Sequence, residues 1–349
     1  MYSFTYDSEI VKLIAEINQH LALIETHRSS YAADQKWVLL TAAESIHFST
    51  KIEGNKLTLK QVTEILQSKS GIKTNSTRSL QEVLNYSKAR KFLLTRLNVK
   101  LSPDTLLKAH DLIMWQIVTR ALRGKYRKSQ NVIRDAKTRK ITFMPPEAKD
   151  VSLLMTELFK TIEKYTKTDS ALIAAAVFHF GFVTIHPFMD GNGRIARLFS
   201  NYILELAGLR FTHFTSIEKQ HEADRVKYYT SLHNLQGFNF YDIPNNLNIS
   251  TWIVYYLNSI LAATTEAVQR VQQNKIIEPE DLAQENFSED RLAIALTFFN
   301  KYKKITAQEY EALTHVGRTQ AVSDLNELLK KNKIIKIGGG RSTRYVLKK

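Results

Sequence analysis

The chain has no cysteine in 349 residues, which excludes disulfides and thiolate metal sites and makes a reducing compartment unremarkable. It also lacks an apolar run of membrane-crossing length. The longest such stretch, Ala171 to Ile185, contains His179 and falls short of the roughly 20 residues a bilayer requires, so it reads as a core helix. The N-terminus has no basic start followed by an apolar run, and carries Asp7 and Glu9 instead, so no secretory signal is expected. Acidic residues are in the minority, 34 against 49 basic, for a net charge of +15. An excess of that size serves nucleotide binding, nucleic-acid binding or only solubility, so its location matters more than its size. A hydrophobic share of 44% is ordinary, and the length suffices for two or three domains with a substantial core. The expectation is a soluble, cytoplasmic protein with no membrane partner.

What is present centres on one stretch, His186-Pro187-Phe188-Met189-Asp190-Gly191-Asn192-Gly193-Arg194-Ile195-Ala196-Arg197. Apolar segments of helical character flank it, Ala171–Ile185 before and Leu198–Leu206 after, and Pro187 with the two glycines marks a loop between two buried helices. Gly191 and Gly193 let backbone N–H groups approach a ligand closely, at a point where a helix begins and anions are favoured. Arg194 and Arg197 are three apart, so both guanidinium groups can lie on one side of the first turn. Asp190 is a hard oxygen ligand suited to Mg²⁺ that already carries phosphate oxygens. His186 takes a proton near neutral pH. A base, a metal ligand, an anion cradle and two cations within twelve residues point to nucleotide phosphate chemistry.

The stretch resembles the signature loop of the Fic family, in the form associated with AMP transfer. The resemblance spans about residues 40–260 and implies a mainly α protein: a Fic-type helical bundle with a small β-hairpin flap. It further implies transfer of AMP from ATP to a Ser, Thr or Tyr hydroxyl of a target protein, with release of pyrophosphate. His186 would be the general base and Asp190 the Mg²⁺ ligand. Gly191, Asn192 and Gly193 would cradle the α-phosphate, Arg194 and Arg197 would hold the β- and γ-phosphates, and Phe188 would anchor the loop. Doc-like kinases tend to lack the second glycine and the last arginine, both of which this chain keeps.

A second motif lies upstream. Trp37 to Thr50 reads as a helix closed by Gly54, with Glu53 at its end. A carboxylate there faces the negative end of the helix dipole and costs a few tenths of a kcal/mol unless a cation pairs with it. Ser49 lies one turn earlier on the same face. Ser49-x-x-x-Glu53-Gly54 resembles the family's inhibitory helix, which implies that Glu53 pairs with Arg197 and fills the γ-phosphate space.

Elsewhere helices are expected over 8–25 (Ile10, Leu13, Ile14, Ile17, Leu21, Ile24), 57–67, 80–97, 103–118, 148–165, 218–235 and 249–273, with a polar loop at 68–77. Residues 124–146 read as a short hairpin with Val132-Ile133 and Ile141-Thr142-Phe143, closed by Pro145-Pro146. In the resemblance this is the flap, and Ile141, Thr142 and Phe143 would receive the target by strand addition. Gly124-Lys125-Tyr126-Arg127 resembles the family's lead-in and is given a structural role. Tyr228 and Tyr229 point about 100° apart, so only one can stack on adenine, and by resemblance it is Tyr229.

Residues 274–290 read as a linker. Beyond them Arg291–Phe299, a Thr306-capped helix to Leu313, a turn at 314–317, Arg318–Asn332 and a hairpin through Gly338-Gly339-Gly340 follow winged-helix (α+β) order. Residues 286–349 hold 13 basic and 6 acidic side chains, so +7 of the +15 lies there. Arg318 and Thr319 would start a recognition helix, and Arg341 and Arg344 would lie in the wing; DNA and a protein contact are both open as its partner. The domain expectation is 1–100 (N-terminal helices, with an inhibitory helix at about 40–54), 101–273 (core, with the 124–146 flap and the 186–197 loop), 274–290 (linker) and 291–349 (winged helix). The expected activity is that of a Glu53-autoinhibited protein adenylyltransferase using ATP and Mg²⁺, with a homodimer open. The rival readings are a de-AMPylase using the same site and a DNA-binding regulator with a nucleotide-sensing module.

Overall fold

The structure is a computed structural model and describes residues 2–26, 31–67, 77–97, 101–135, 138–168, 170–273, 304–314, 318–330, 332–338 and 343–348. Contacts divide the chain into two compact units, residues 1–26 with 38–270 and residues 27–37 with 271–349.

The first unit is built around α7 (Ala171–Ile185), apolar on every side and buried from Leu172 to Ile185. A helix without a polar face must be surrounded. α6 (Val151–Thr168) and α8 (Asn192–Leu206) pack against it, and α11 (Ser250–Gln273) approaches closely enough for the buried Trp252 indole to donate to the Ala176 carbonyl at 2.8 Å. Gly181 opens a slot for the Tyr2 ring, because a Cβ there would strike Leu158 and Tyr2. Tyr2 belongs to β1 (Tyr2–Ser3), paired in parallel with β4 (Leu247–Asn248), so the chain start is tied to the segment entering α11.

The N-terminal helices follow the sequence signals closely. α1 (Ser8–Thr26) buries Ile10, Leu13, Ile17 and Ile24. α2 (Tyr31–Ile52) is closed by Gly54 at φ +93°. α3 (Leu59–Gln67) begins with a reciprocal Thr58–Gln61 cap. α4 (Arg78–Leu94) is capped by Thr77, and α5 (Pro103–Ile113) by Ser102 with Pro103 in its first turn. Most of the loop expected at 68–77 lies outside the described residues.

Two expected helices are cut. α5 stops at Ile113 instead of running to Val118: the buried Asn85 amide donates to the carbonyls of Ile113 and Trp115, and Gln116 turns left-handed at φ +58°. The helix expected over 218–235 is two helices, α9 (Ile217–Ala223) and α10 (Arg225–Gln236), divided at Asp224, whose carboxylate caps α10 by accepting from Lys227 N at 2.9 Å. The hairpin is shorter than 124–146 suggests: β2 (Ile133–Arg134) pairs antiparallel with β3 (Ile141–Phe143).

In the second unit, α12 (Ala307–Thr314) starts with the Thr306–Glu309 capping box and α13 (Arg318–Lys330) follows. A three-stranded antiparallel sheet has β7 (Arg344–Leu347) between β5 (Lys304–Ile305) and β6 (Ile334–Ile337), of which β5 has no counterpart in the sequence reading. Tyr310, Leu325, Leu328, Ile334 and Tyr345 are in its core. The expected linker at 274–290, the helix Arg291–Phe299, most of the 314–317 turn and Arg341 lie outside the described residues. Among the described residues no helix is long and apolar enough to cross a membrane.

Because Ser170 caps the central helix by accepting from Leu172 N, Ser170→Ala is expected to destabilise the first unit by about 1 kcal/mol and to lower its midpoint in a thermal scan by about 2–4 °C.

Candidate active site

The loop from 186 to 192 is held on every side by groups of the chain itself. His186 ends α7 in the left-handed region at φ 51°, ψ 58°. Arg127 receives it: its backbone N–H donates to Pro187 O at 2.8 Å, its Nε to His186 O at 3.0 Å, and its Nη2 to Pro146 O. The Asn131 amide donates to Phe188 O at 2.9 Å. Phe188 is fully buried and stacked on His110, with ring centroids 3.6 Å apart and planes 4° apart. His110 Nδ1 accepts from Gly124 N at 2.9 Å, so its Nε2–H donates to Asp190 O at 3.0 Å. Gly191, at φ +86°, must be glycine, since a Cβ would also lie 2.7 Å from Met114 Sδ.

The Asn192 side chain is committed inside the loop. Its Oδ1 accepts from Phe188 N at 2.9 Å and its Nδ2 donates to Phe188 O at 2.8 Å. The first amides of α8, where Gly191 supplies no side-chain cap, are the groups left for an anion.

His186 Nδ1–H donates to the Val183 carbonyl at 3.1 Å, which leaves the Nε2 lone pair as the acceptor. Burial lowers its pKa to about 4, against the opposing pull of that carbonyl. At neutral pH the imidazole is uncharged and able to take a proton.

Arg194 and Arg197 leave the same turn of α8 and diverge. Arg197, 1% exposed, points to the end of α2: Nε donates to Ser49 Oγ at 2.9 Å, and Nη2 to Ser49 O at 2.9 Å and to Glu53 Oε1 at 2.7 Å. Burial is the largest single influence and disfavours its charge, but the Glu53 carboxylate together with the Tyr228 and Tyr229 hydroxyls raises its pKa overall. The Glu53 carboxylate also overlies Gly193 so closely that a Cβ there would collide with Glu53 Oε1. The final glycine of the loop is therefore the position over which the α2 carboxylate lies.

Arg194, 3% exposed, turns to α4, with Glu82 Oε1 at 3.3 Å, and back to Asp190 Oδ1 at 3.1 Å. Arg78 reaches Asp190 Oδ2 at 3.2 Å, and Asn55, just past Glu53, donates to Glu82 Oε2 at 2.9 Å. Sequence reasoning missed Arg78 and Glu82; their i,i+4 spacing was visible but is common on solvated helix faces. Asp190, 40% exposed, is the sole candidate metal ligand of the reading, and no cluster of three His, Asp or Glu occurs among the described residues. A single hard, accessible oxygen fits Mg²⁺ whose remaining ligands are phosphate and water.

Tyr228 and Tyr229 do diverge. Tyr228 is buried, hydrogen-bonded with His179 Nε2 at 2.8 Å, while Tyr229 is 39% exposed. Burial and the nearby Glu53 carboxylate push the Tyr229 hydroxyl pKa up. In the hairpin, Ile141 and Thr142 are half-buried, but Phe143 is fully buried. Its side chain is a core residue and not part of a docking surface. Met144 then pairs with Phe238 and Phe240 (2.8 and 2.9 Å), so the open edge is limited to Ile141–Thr142.

A neutral histidine, a glycine-rich helix N-terminus and two buried arginines define an anion-handling loop inside a helical bundle. Residues 100–204 match the sequence profile of the Fic/DOC family. It is 30% identical over 168 residues to a protein named Protein adenylyltransferase Fic from Drosophila erecta (47% of this chain, 32% of that one). It is also 30% identical over 197 residues to one of the same name from Culex quinquefasciatus (54% and 36%). The chain spans about a third of the length of these curated relatives. The fold is shared with a Fic family protein from Desulfovibrio desulfuricans (TM-score 0.63, 22% identity, 100% of this chain and 98% of that one). It is also shared with a Fic domain containing signaling protein from Bacteroides thetaiotaomicron (TM-score 0.64, 22% identity, 75% and 99%).

Burial lowers the pKa of His110 and His186 to about 4 and of His221 to about 3. Between those values and the ordinary 6.5 the unfolded chain binds more protons, so stability is complete above about pH 6.5 and falls as pH drops toward 4. Denaturant midpoints between pH 7.5 and 4.5 check this, with loss on acidification expected.

Proposed function

We propose that this chain transfers AMP from ATP to a hydroxyl of a target protein, with Glu53 as a built-in restraint. The observation that carries the reading is the uncharged His186 imidazole, with its Nε2 lone pair unoccupied by the Val183 contact, at the mouth of a loop whose last arginine is held by Glu53. The target hydroxyl oxygen attacks the α-phosphorus, His186 Nε2 takes its proton, and the bond to the pyrophosphate oxygen breaks. The amides at the start of α8 receive the α-phosphate, and Arg194 and Arg197 hold the β- and γ-phosphates. Asp190 would hold Mg²⁺, which supplies charge neutralisation of the phosphates. Tyr229 flanks the adenine, and Ile141–Thr142 receives an extended target segment on its open edge.

Glu53 and a γ-phosphate are both anions seeking Arg197, so one excludes the other. Intact mass after incubation with Mg²⁺ and ATP is expected to show one added AMP in Glu53→Gly, little in wild type and none in Glu53→Gly/His186→Ala. Equal labelling of wild type and Glu53→Gly would remove the restraint, and labelling of the double variant would remove His186 as base.

A second reading concerns the C-terminal unit, which we take as a winged helix that binds DNA. Supporting it are the exposed Arg318 and Thr319 in the first turn of α13 and the exposed Arg344 in β7. Salt-dependent retardation of duplex DNA, weakened by Arg318→Ala and indifferent to His186→Ala, is the expected result. No retardation at low salt would leave protein contact as its use.

A further inference from the structure

The restraint depends on where α2 sits against α8, and one buried group outside the signature loop sets that spacing. Glu218, at the start of α9, is 1% exposed. Its Oε1 accepts from Ser45 Oγ of α2 at 2.8 Å, from Tyr86 OH of α4 at 3.2 Å and from Asn201 Nδ2 of α8 at 2.9 Å. Its Oε2 accepts from Ser216 Oγ at 2.8 Å. Four donors from three other segments and its own cap converge on one carboxyl group.

The registers of these donors are informative. Ser45 lies four residues before Ser49 on α2, and Asn201 four residues after Arg197 on α8, so the Glu218 cluster is one helical turn from the Ser49–Arg197–Glu53 contact on the same pair of faces. Tyr86, wholly buried, brings α4 into the cluster by donating to Glu218. Through Glu218, Ser45 of α2 and Asn201 of α8 are held to one carboxylate, one turn from the Arg197–Ser49 contact. A second carboxylate of α9, Glu222, reaches Lys51 of α2 at 3.4 Å.

We propose that Glu218, joining Ser45 of α2 to Asn201 of α8 and held by Tyr86, is a positioning residue for the Glu53 restraint: it seats α2 on α8 so that Ser49 and Glu53 meet Arg197. The inference rests on the reading that Glu53 opposes nucleotide binding. It adds that the opposition is set by α9, an element outside both the loop and α2. Loosening this cluster lets α2 withdraw, which frees Arg197 for a triphosphate without any change to Glu53 itself.

The test uses the full chain. Mg²⁺·ATP affinity by calorimetry and amide exchange over residues 38–54 are measured for Glu218→Gln and Tyr86→Phe, each with Glu53 present and in the Glu53→Gly background. Tyr86→Phe keeps the ring and removes only the hydroxyl, which guards against a folding defect in Glu218→Gln. The expected result is an affinity gain of about tenfold with Glu53 present, little change in the Glu53→Gly background, and faster exchange over 41–53. Two outcomes overturn the proposal: unchanged affinity and exchange in both variants, or the same affinity change in both backgrounds, which marks an ordinary packing role. Neither readout requires AMP transfer. A Glu53-dependent affinity gain in a chain that labels nothing would keep this inference and remove the proposed reaction.

Discussion

Arg197 is a guanidinium almost completely withdrawn from water, and the rest of the site is arranged around that fact. A buried charge that loses its partner costs about 3–5 kcal/mol, so it must always have one. Here Arg197 donates to Ser49 Oγ, Ser49 O and Glu53 Oε1, all from α2 or the turn that ends it. α2 and α8 are therefore electrostatically dependent on each other, and an anion that takes the place of Glu53 has to satisfy the same guanidinium. In the proposed reading the restraint and the ligand share this one cation, so one excludes the other.

The loop, in contrast, is held by the chain's own groups. Arg127, Asn131, His110 and the Asn192 amide satisfy its backbone from four directions, and Phe188 anchors it between rings. Groups that stabilise developing charge work best when they need no rearrangement at the moment of reaction. The same logic explains the tautomer of His186: the Val183 carbonyl accepts from Nδ1–H, and burial keeps the ring neutral. Around this frame the charges alternate. Arg78, Asp190, Arg194 and Glu82 form a chain of opposite signs that joins α4 to the loop, and Asn55 ties the turn after Glu53 to the same carboxylate.

Much of this was legible in the amino-acid order because it depends on local spacing. The unbroken apolar run of α7, the caps at Thr58, Ser102 and Thr306, the glycine at 54 and the punctuation of the 186–197 loop each declare themselves within a few residues. So does the pairing potential of Glu53, because a carboxylate at a helix C-terminus calls for a cation. The interior of that reading failed where a distant side chain competed for the backbone. Asn85 ends α5 early by donating to the carbonyls of Ile113 and Trp115.

What the order of residues determined by itself was most of the helices, where most of them begin, and the place of one short loop between two of them, since periodicity, capping and glycine placement act over one or two turns. What only the tertiary structure decided was which charges meet. The Arg197–Ser49 and Arg197–Glu53 contacts join residues 148 and 144 apart, and Glu218 reaches Ser45 across 173. Nothing local distinguishes Glu82 or Glu218 from any other helix-surface glutamate. Their partners are set by how α2, α4, α8 and α9 come together, and packing is a property of the whole bundle, not of any segment in it.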